Sequence, residues 1–175
     1  MLLNGDLYPY PTYFYNITGV TDYFNILRIN SPEEFNYYVP YVNQTSVRSA
    51  IHVGNLSYGS QSVMVERALV NDIMGSVADW LATLMDNYKT LLYNGQLDVI
   101  VGAPLTERYL AVLPWSGLQQ YLKAERMVWR IGDDVAGYVR QVESFMQAIV
   151  RGAGHIVPYD QPERMFNLIE TFVNM

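Results

Sequence analysis

The chain has 175 residues, half of them apolar and 16% charged, with two histidines, no cysteine and a net charge of −6. That is long enough for an ordinary domain and too apolar for disorder. It excludes disulfides, thiolate metal sites and cysteine nucleophiles within the chain. The eleven scattered Lys and Arg offer no clustered basic face, so no nucleic-acid partner is expected. No apolar run reaches the roughly 18 residues of a membrane span. The start, MLLNGDLYPYP, lacks a basic n-region, so no signal peptide is expected in it.

Residues 1–62 are crowded with aromatics and broken by Pro9, Pro11, Pro32 and Pro40. They read as a segment of short helices and loops, distinct from 63–175, with the change of texture near Gln61. Ser31 is expected to cap a helix opened by Pro32, with Glu33 and Glu34 facing the positive end of its dipole. A second short helix is expected over Ser46 to Ile51. Asn16, Asn43 and Asn55 each head an Asn-x-Ser/Thr triplet. They are candidate glycosylation sites pointing to a secretory route, or ordinary polar loop residues.

From Val63 to Tyr88 the spacing of Val65, Leu69, Ile73, Val77, Trp80, Leu81, Leu84 and Met85 predicts two helices broken near Gly75. TLLYNG is an apolar run stopped by Asn-Gly and reads as a buried strand. Helices are expected over Leu105 to Leu113 and Gly117 to Ala124. RMVWRIG and VAGYVRQV read as strands flanking the turn Gly132-Asp133-Asp134, and SFMQAIVRG as a further apolar strand. A closing helix over Asp160 to Met175 is expected, with Phe166, Ile169 and Val173 on one face. Helices interleaved with strands in this order predict an α/β fold, whose sites lie beyond the carboxyl ends of the strands.

Two residues stand at such ends. Asp98 follows TLLYNG, and His155 follows SFMQAIVRG and a Gly-Ala-Gly turn. A carboxylate that accepts from an imidazole fixes its tautomer and stabilises the imidazolium, which makes the ring a proton shuttle. From spacing alone, each is equally an ordinary loop residue. Nothing in the composition points to a cofactor or a metal site.

The stretches LLYNGQLDVIVG and RGAGHIVPYDQPERM carry the patterns N-G-x-x-D and G-x-G-H-x-V-P-x-D-Q-P. They resemble the acid and histidine motifs of the serine carboxypeptidases, an α/β-hydrolase family. VRSAIHVGN, WSGLQQYLKAERMVWRI and AGYVRQVESF resemble its vitellogenic-like branch. The resemblance implies the carboxyl-terminal portion of an α/β-hydrolase fold, that is, the last strands and helices of its mostly parallel sheet, with part of a helical cap in 1–62. It implies Asp98 and His155 as members of a Ser-Asp-His triad acting on a peptide substrate. Ile156 would then line the pocket for the leaving residue. The family's nucleophile lies in an upstream elbow that this chain does not contain. Ser57, in GNLSYGSQS, has Asn55 where the elbow needs a small residue, so it is not expected to be the nucleophile. His52 lies outside the triad. Val20 and Ile29 stand where related sequences carry a cysteine pair, and apolar packing is expected to replace the bridge. The expected partner is the amino-terminal half or chain of the same enzyme. Without it, the strand at Leu91 would leave an open edge and the strand from Phe145 to Val150 would lack a covering layer, so the lone chain is expected to be poorly folded or self-associated, for instance as a homodimer. The family implies a secreted or lysosomal setting. The alternative is a truncated, non-catalytic relative serving as a binding module.

Overall fold

The computed structural model describes residues 12–59, 62–73 and 75–175. The aromatic-rich start at 1–11 and the texture change at Gln61 lie outside the described residues. The chain divides into two compact units. The first takes Met1–Thr21 and Ile29–Gly75, and the second takes Asp22–Arg28 and Ser76–Met175.

The first unit is built from short helices: α1 (Tyr13–Thr18), α2 (Tyr38–Val42), α3 (Thr45–Ala50) and α4 (Val63–Leu69). Thr12 caps α1 by accepting from the Tyr15 amide at 3.1 Å. Ser31 caps nothing. Glu33–Asn36 form only a 3-10 turn with Pro32 ahead of it, and Pro32 is held extended at ψ 140°. Ile29 does not pack as an apolar substitute for a bridge, because its side chain is exposed. Its carbonyl instead accepts from the Thr21 amide at 3.3 Å.

The second unit holds a four-stranded sheet. Its strands are β1 (Thr90–Gly95), β2 (Met127–Ile131), β3 (Asp134–Val142) and β4 (Phe145–Val150), in the order β1-β4-β3-β2. β1 runs parallel to β4, with Thr90 opposite Phe145 and Gly95 opposite Val150. The two hairpin pairings, β2 with β3 and β3 with β4, are antiparallel. A parallel pair needs a crossover, supplied by the chain between β1 and β4, which includes α6 (Ala103–Leu110) and α7 (Leu118–Lys123).

Side chains of β4 alternate between two cores, as the pleat dictates. Phe145 packs with Ala82 and Met85 of α5 (Ala78–Asn87), with Leu110 of α6 and with Tyr121 of α7. Met146, Ala148 and Val150 pack with Val157 of α8 (Val157–Asp160) and with Met165 and Leu168 of α9 (Pro162–Val173). β4 is therefore covered on both faces, contrary to the expectation of a missing layer. The one polar side chain buried in β4, Gln147, accepts from the Tyr121 hydroxyl at 2.7 Å. Burial pushes that phenol's pKa up, so it stays a neutral donor.

The closing helix departs from its sequence-predicted form by being split, and only one of its two apolar stripes is buried. Gln161 leaves helical geometry at φ −142° and splits α8 from α9, because the ring of Pro162 excludes the helical conformation from the residue before it. The buried stripe is Met165 and Leu168, whereas Phe166, Ile169 and Val173 face outward. Both stripes are apolar, so periodicity alone cannot choose between them. α9 is also tied to β3 by Arg164, which donates to Asp134 at 2.6 Å while Arg151 donates to the same carboxylate at 3.2 Å. The Arg164 hydrogen bond holds the Asp134 carboxyl below its usual range. This contribution is present above the ordinary carboxyl pKa and is lost as pH falls through the lowered one. α5 behaves as α9 does: Ala82 and Met85 are buried, while Val77, Trp80 and Leu84 are exposed.

These placements are tested by urea unfolding. Leu168→Ala is expected to lower the unfolding free energy by about 2–5 kcal/mol, and Phe166→Ala to change it by less than about 0.5 kcal/mol. The reverse order would put the other face of α9 against the sheet.

Candidate active site

The parallel pairing of β1 and β4 brings both carboxyl ends to one edge of the sheet. Beyond Gly95 the chain turns, and the Gln96 and Leu97 amides donate to the Val150 and Ala153 carbonyls at 3.0 and 2.8 Å. This zips the acid loop to the histidine loop. Gly95 permits it, since a Cβ there would lie 1.9 Å from the Gly154 carbonyl oxygen. Asn94 steadies the far side of the acid loop by donating to the Val101 carbonyl at 2.9 Å.

Asp98 follows directly. Its Oδ1 accepts from the Ile100 and Val101 amides at 2.9 and 3.1 Å. Its Oδ2 lies 2.9 Å from His155 Nδ1. The carboxylate side chain is only 4% exposed, the imidazole 32%. An ionised carboxylate only accepts, so Nδ1 carries the shared proton and Nε2 is left with its lone pair. The ring stands at an open hollow of about 190 Å³ lined by Tyr93, Asn94, Gly95, Asp98, Val101 and Val157. The arrangement is chemically a base with one free nitrogen, oriented by a buried anion.

The histidine loop is fastened from behind by Asp22–Arg28. The His155 amide donates to the Phe24 carbonyl at 2.6 Å, and the Phe24 ring lies 5.3 Å from the imidazole. Gly154 allows that approach, because a Cβ there would meet the Phe24 carbonyl oxygen at 2.2 Å. Asp160 accepts from the Gly154 amide at 2.6 Å and from Asn25 Nδ2 at 3.0 Å. It also pairs with Arg28. Ile156 is partly exposed, just ahead of α8.

The sequence pattern of the family described as serine carboxypeptidase matches residues 21–175. The chain belongs to the serine carboxypeptidase family. The probable serine carboxypeptidase CPVL of Homo sapiens is 50% identical over 175 residues, which is 98% of this chain and 37% of that one. The venom serine carboxypeptidase of Apis mellifera is 43% identical over 174 residues, 99% of this chain and 37% of the relative. For the vitellogenic carboxypeptidase of Aedes aegypti the figures are 32% over 166 residues, with 93% and 35% covered. The chain therefore spans little more than a third of the length of these relatives. Its fold matches the crystal structure of Kex1(delta)p, a prohormone-processing carboxypeptidase from Saccharomyces cerevisiae, with a TM-score of 0.72 and 18% identity. That match covers 87% of this chain and 36% of the other. The expected α/β-hydrolase class stands on this likeness of fold.

Within this serine carboxypeptidase sequence, no serine has glycine two positions before it. Ser57 belongs to the first unit and follows turns rather than a strand; every strand among the described residues begins at Thr90 or later. His52 is in a turn with a left-handed φ of 60°, its amide donating to Ser49 O at 3.2 Å. Asn16 and Asn55 are exposed. Asn43 is half-buried, and its Nδ2 donates to the Val39 and Tyr58 carbonyls, each at 3.0 Å. A glycan on that nitrogen would remove one of these bonds. Among the described residues, no group of three His, Cys, Asp or Glu could hold a metal ion, and no helix is long and apolar enough to cross a membrane. Sequence reasoning passed over Phe24, Asn25, Arg28 and Asp160. Asp160 stood inside the quoted histidine motif, but nothing in local spacing points from it to residues more than 130 positions earlier.

Gly154→Ala tests the close approach. It is expected to destabilise the chain by about 1–3 kcal/mol. It is also expected to remove protection of the His155 amide in hydrogen exchange, since the added carbon displaces Phe24. Unchanged protection would contradict the fastening.

Proposed function

We propose that this chain supplies the histidine and the aspartate of a Ser-Asp-His triad in a carboxypeptidase that releases the residue at a peptide's free carboxyl end. The observation that carries this is the 2.9 Å contact of His155 Nδ1 with the buried Asp98 carboxylate, beyond the carboxyl ends of two parallel strands. Nε2 of His155 takes the proton of a serine hydroxyl as its oxygen attacks the scissile carbonyl. The imidazolium then returns that proton to the leaving amine. Water repeats the cycle on the acyl-enzyme, giving the shortened peptide acid and free serine. Asp98 holds the ring in the tautomer that exposes Nε2 and stabilises the imidazolium formed in each half. Ile156, partly exposed beside His155, is assigned to the pocket for the departing residue, where it would favour apolar side chains.

The attacking serine is assigned to a partner, the amino-terminal half or chain of the same enzyme. The support is the share of the relatives' length that the chain covers and the absence of a serine with glycine two positions before it. In the second unit, β1 is at the end of the strand order, paired only with β4 among the described strands. α5 and α9 each carry an outward apolar stripe there. A secretory setting fits the venom carboxypeptidase among the relatives and the exposed sequons at Asn16 and Asn55. The second reading is a non-catalytic binding module.

Release of free amino acid from an amino-blocked dipeptide decides between them. The chain is measured alone and together with an amino-terminal half that carries the serine elbow. The combined protein is expected to be active, and His155→Ala to lower its kcat about a thousandfold or more. A folded, active pair no slower after His155→Ala would contradict the assignment. A folded but inactive pair would favour the binding module.

A further inference from the structure

We infer that Asp160 is a positioning residue for His155, acting through a clamp that joins the histidine loop to the 22–28 strap. The inference builds on the proposed role of His155 and adds a residue that neither touches the imidazole nor faces the hollow beside it. The Asp160 side chain is 3% exposed, so its charge needs partners, and it has them on two separate pieces of chain. Oδ2 accepts from the Gly154 amide at 2.6 Å, one peptide group before the one that carries His155's own N–H. The same oxygen accepts from Asn25 Nδ2 at 3.0 Å. Oδ1 pairs with Arg28, whose guanidinium also lies over the Tyr159 ring, 5.1 Å from its centroid.

The geometry makes the clamp specific to the imidazole. Asn25 and Arg28 belong to the strap whose Phe24 carbonyl receives the His155 amide at 2.6 Å and whose Phe24 ring lies 5.3 Å from the histidine ring. One carboxylate therefore fixes the Ala153–Gly154 peptide and, through the strap, the acceptor of His155's own N–H. These two restraints hold the backbone from which the imidazole reaches Asp98. Asp98 is held independently, by the Ile100 and Val101 amides. Asparagine cannot replace Asp160. Its amide has one acceptor oxygen, so its NH2 group must face either Gly154 N–H and Asn25 or Arg28, donor against donor.

The test is the Nδ1–H proton of His155, observed in 15N-histidine-labelled protein. His52, the other histidine of the chain, is the internal reference. In the unsubstituted chain the Nδ1–H is expected as a downfield signal slowed in exchange by its bond to Asp98. In Asp160→Asn its exchange is expected to rise about tenfold or more, with His52 and the β4 amides unchanged. Arg28→Met leaves the Gly154 bond in place and is expected to give a smaller rise, about threefold, the factor for roughly half of a hydrogen bond's contribution. If Asp160→Asn fails to fold, Arg28→Met carries the test alone. The inference is overturned by an unchanged His155 signal in folded Asp160→Asn, by an unchanged signal in Arg28→Met where Asp160→Asn does not fold, or by no hydrogen-bonded Nδ1–H in the parent. Activity is not the readout. Retention of peptidase activity by Asp98→Asn in the serine-bearing protein would remove the triad role and leave the clamp standing.

Discussion

The register of one parallel strand pair controls the chemistry of this chain. Gly95 opposite Val150 sets Asp98 three residues beyond the end of β1 and His155 five residues beyond the end of β4, on the same edge of the sheet. Had the strands paired antiparallel, the two loops would have opened at opposite ends, separated by the length of a six-residue strand, about 20 Å. The crossover through α6 and α7 is what makes parallel pairing available. Its side chains also fill the core on one face of β4, so the connection that fixes the direction of the strands stabilises them too.

Pairing alone leaves the loops free to diverge, and backbone contacts hold them together. The acid loop donates two amides to the end of the histidine loop, and the histidine loop donates the His155 amide to the strap. Three segments approach at backbone distance, which only residues without a Cβ allow at Gly95 and Gly154. The buried charges serve the same end. Asp98 and Asp160 are each almost fully enclosed, and each is satisfied by partners on more than one segment. Removing one partner from such a buried charge is strongly destabilising, so these carboxylates specify one arrangement of the loops.

Much of this was legible in the sequence because it is encoded locally. The β strands announced themselves through apolar runs and turn residues, and the Asp98 and His155 loops through glycine-flanked motifs at strand ends. What was not legible depends on contacts between distant residues. The strap at Asp22–Arg28 reads as a polar, aromatic loop until its neighbours more than 130 residues later are known. The buried face of α9 was not legible because Phe166, Ile169 and Val173 are as apolar as Met165 and Leu168. The cap expected at Ser31 failed because the chain from Glu33 makes a single 3-10 turn, too short for a capped helix. The register of β1 against β4 was legible only in its consequence, two motifs whose chemistry requires them to meet.

The parallel pairing of β1 with β4 concentrates the unit's folded chemistry at one edge of its sheet. At that edge the imidazole and the carboxylate are either energetically coupled or merely close. A double-mutant cycle on unfolding free energy, with Asp98→Asn, His155→Gln and the double variant, measures this directly. A coupling of at least about 1 kcal/mol is predicted for a hydrogen bond to a buried carboxylate. Additivity of the two substitutions within about 0.3 kcal/mol would contradict the pairing on which everything else rests.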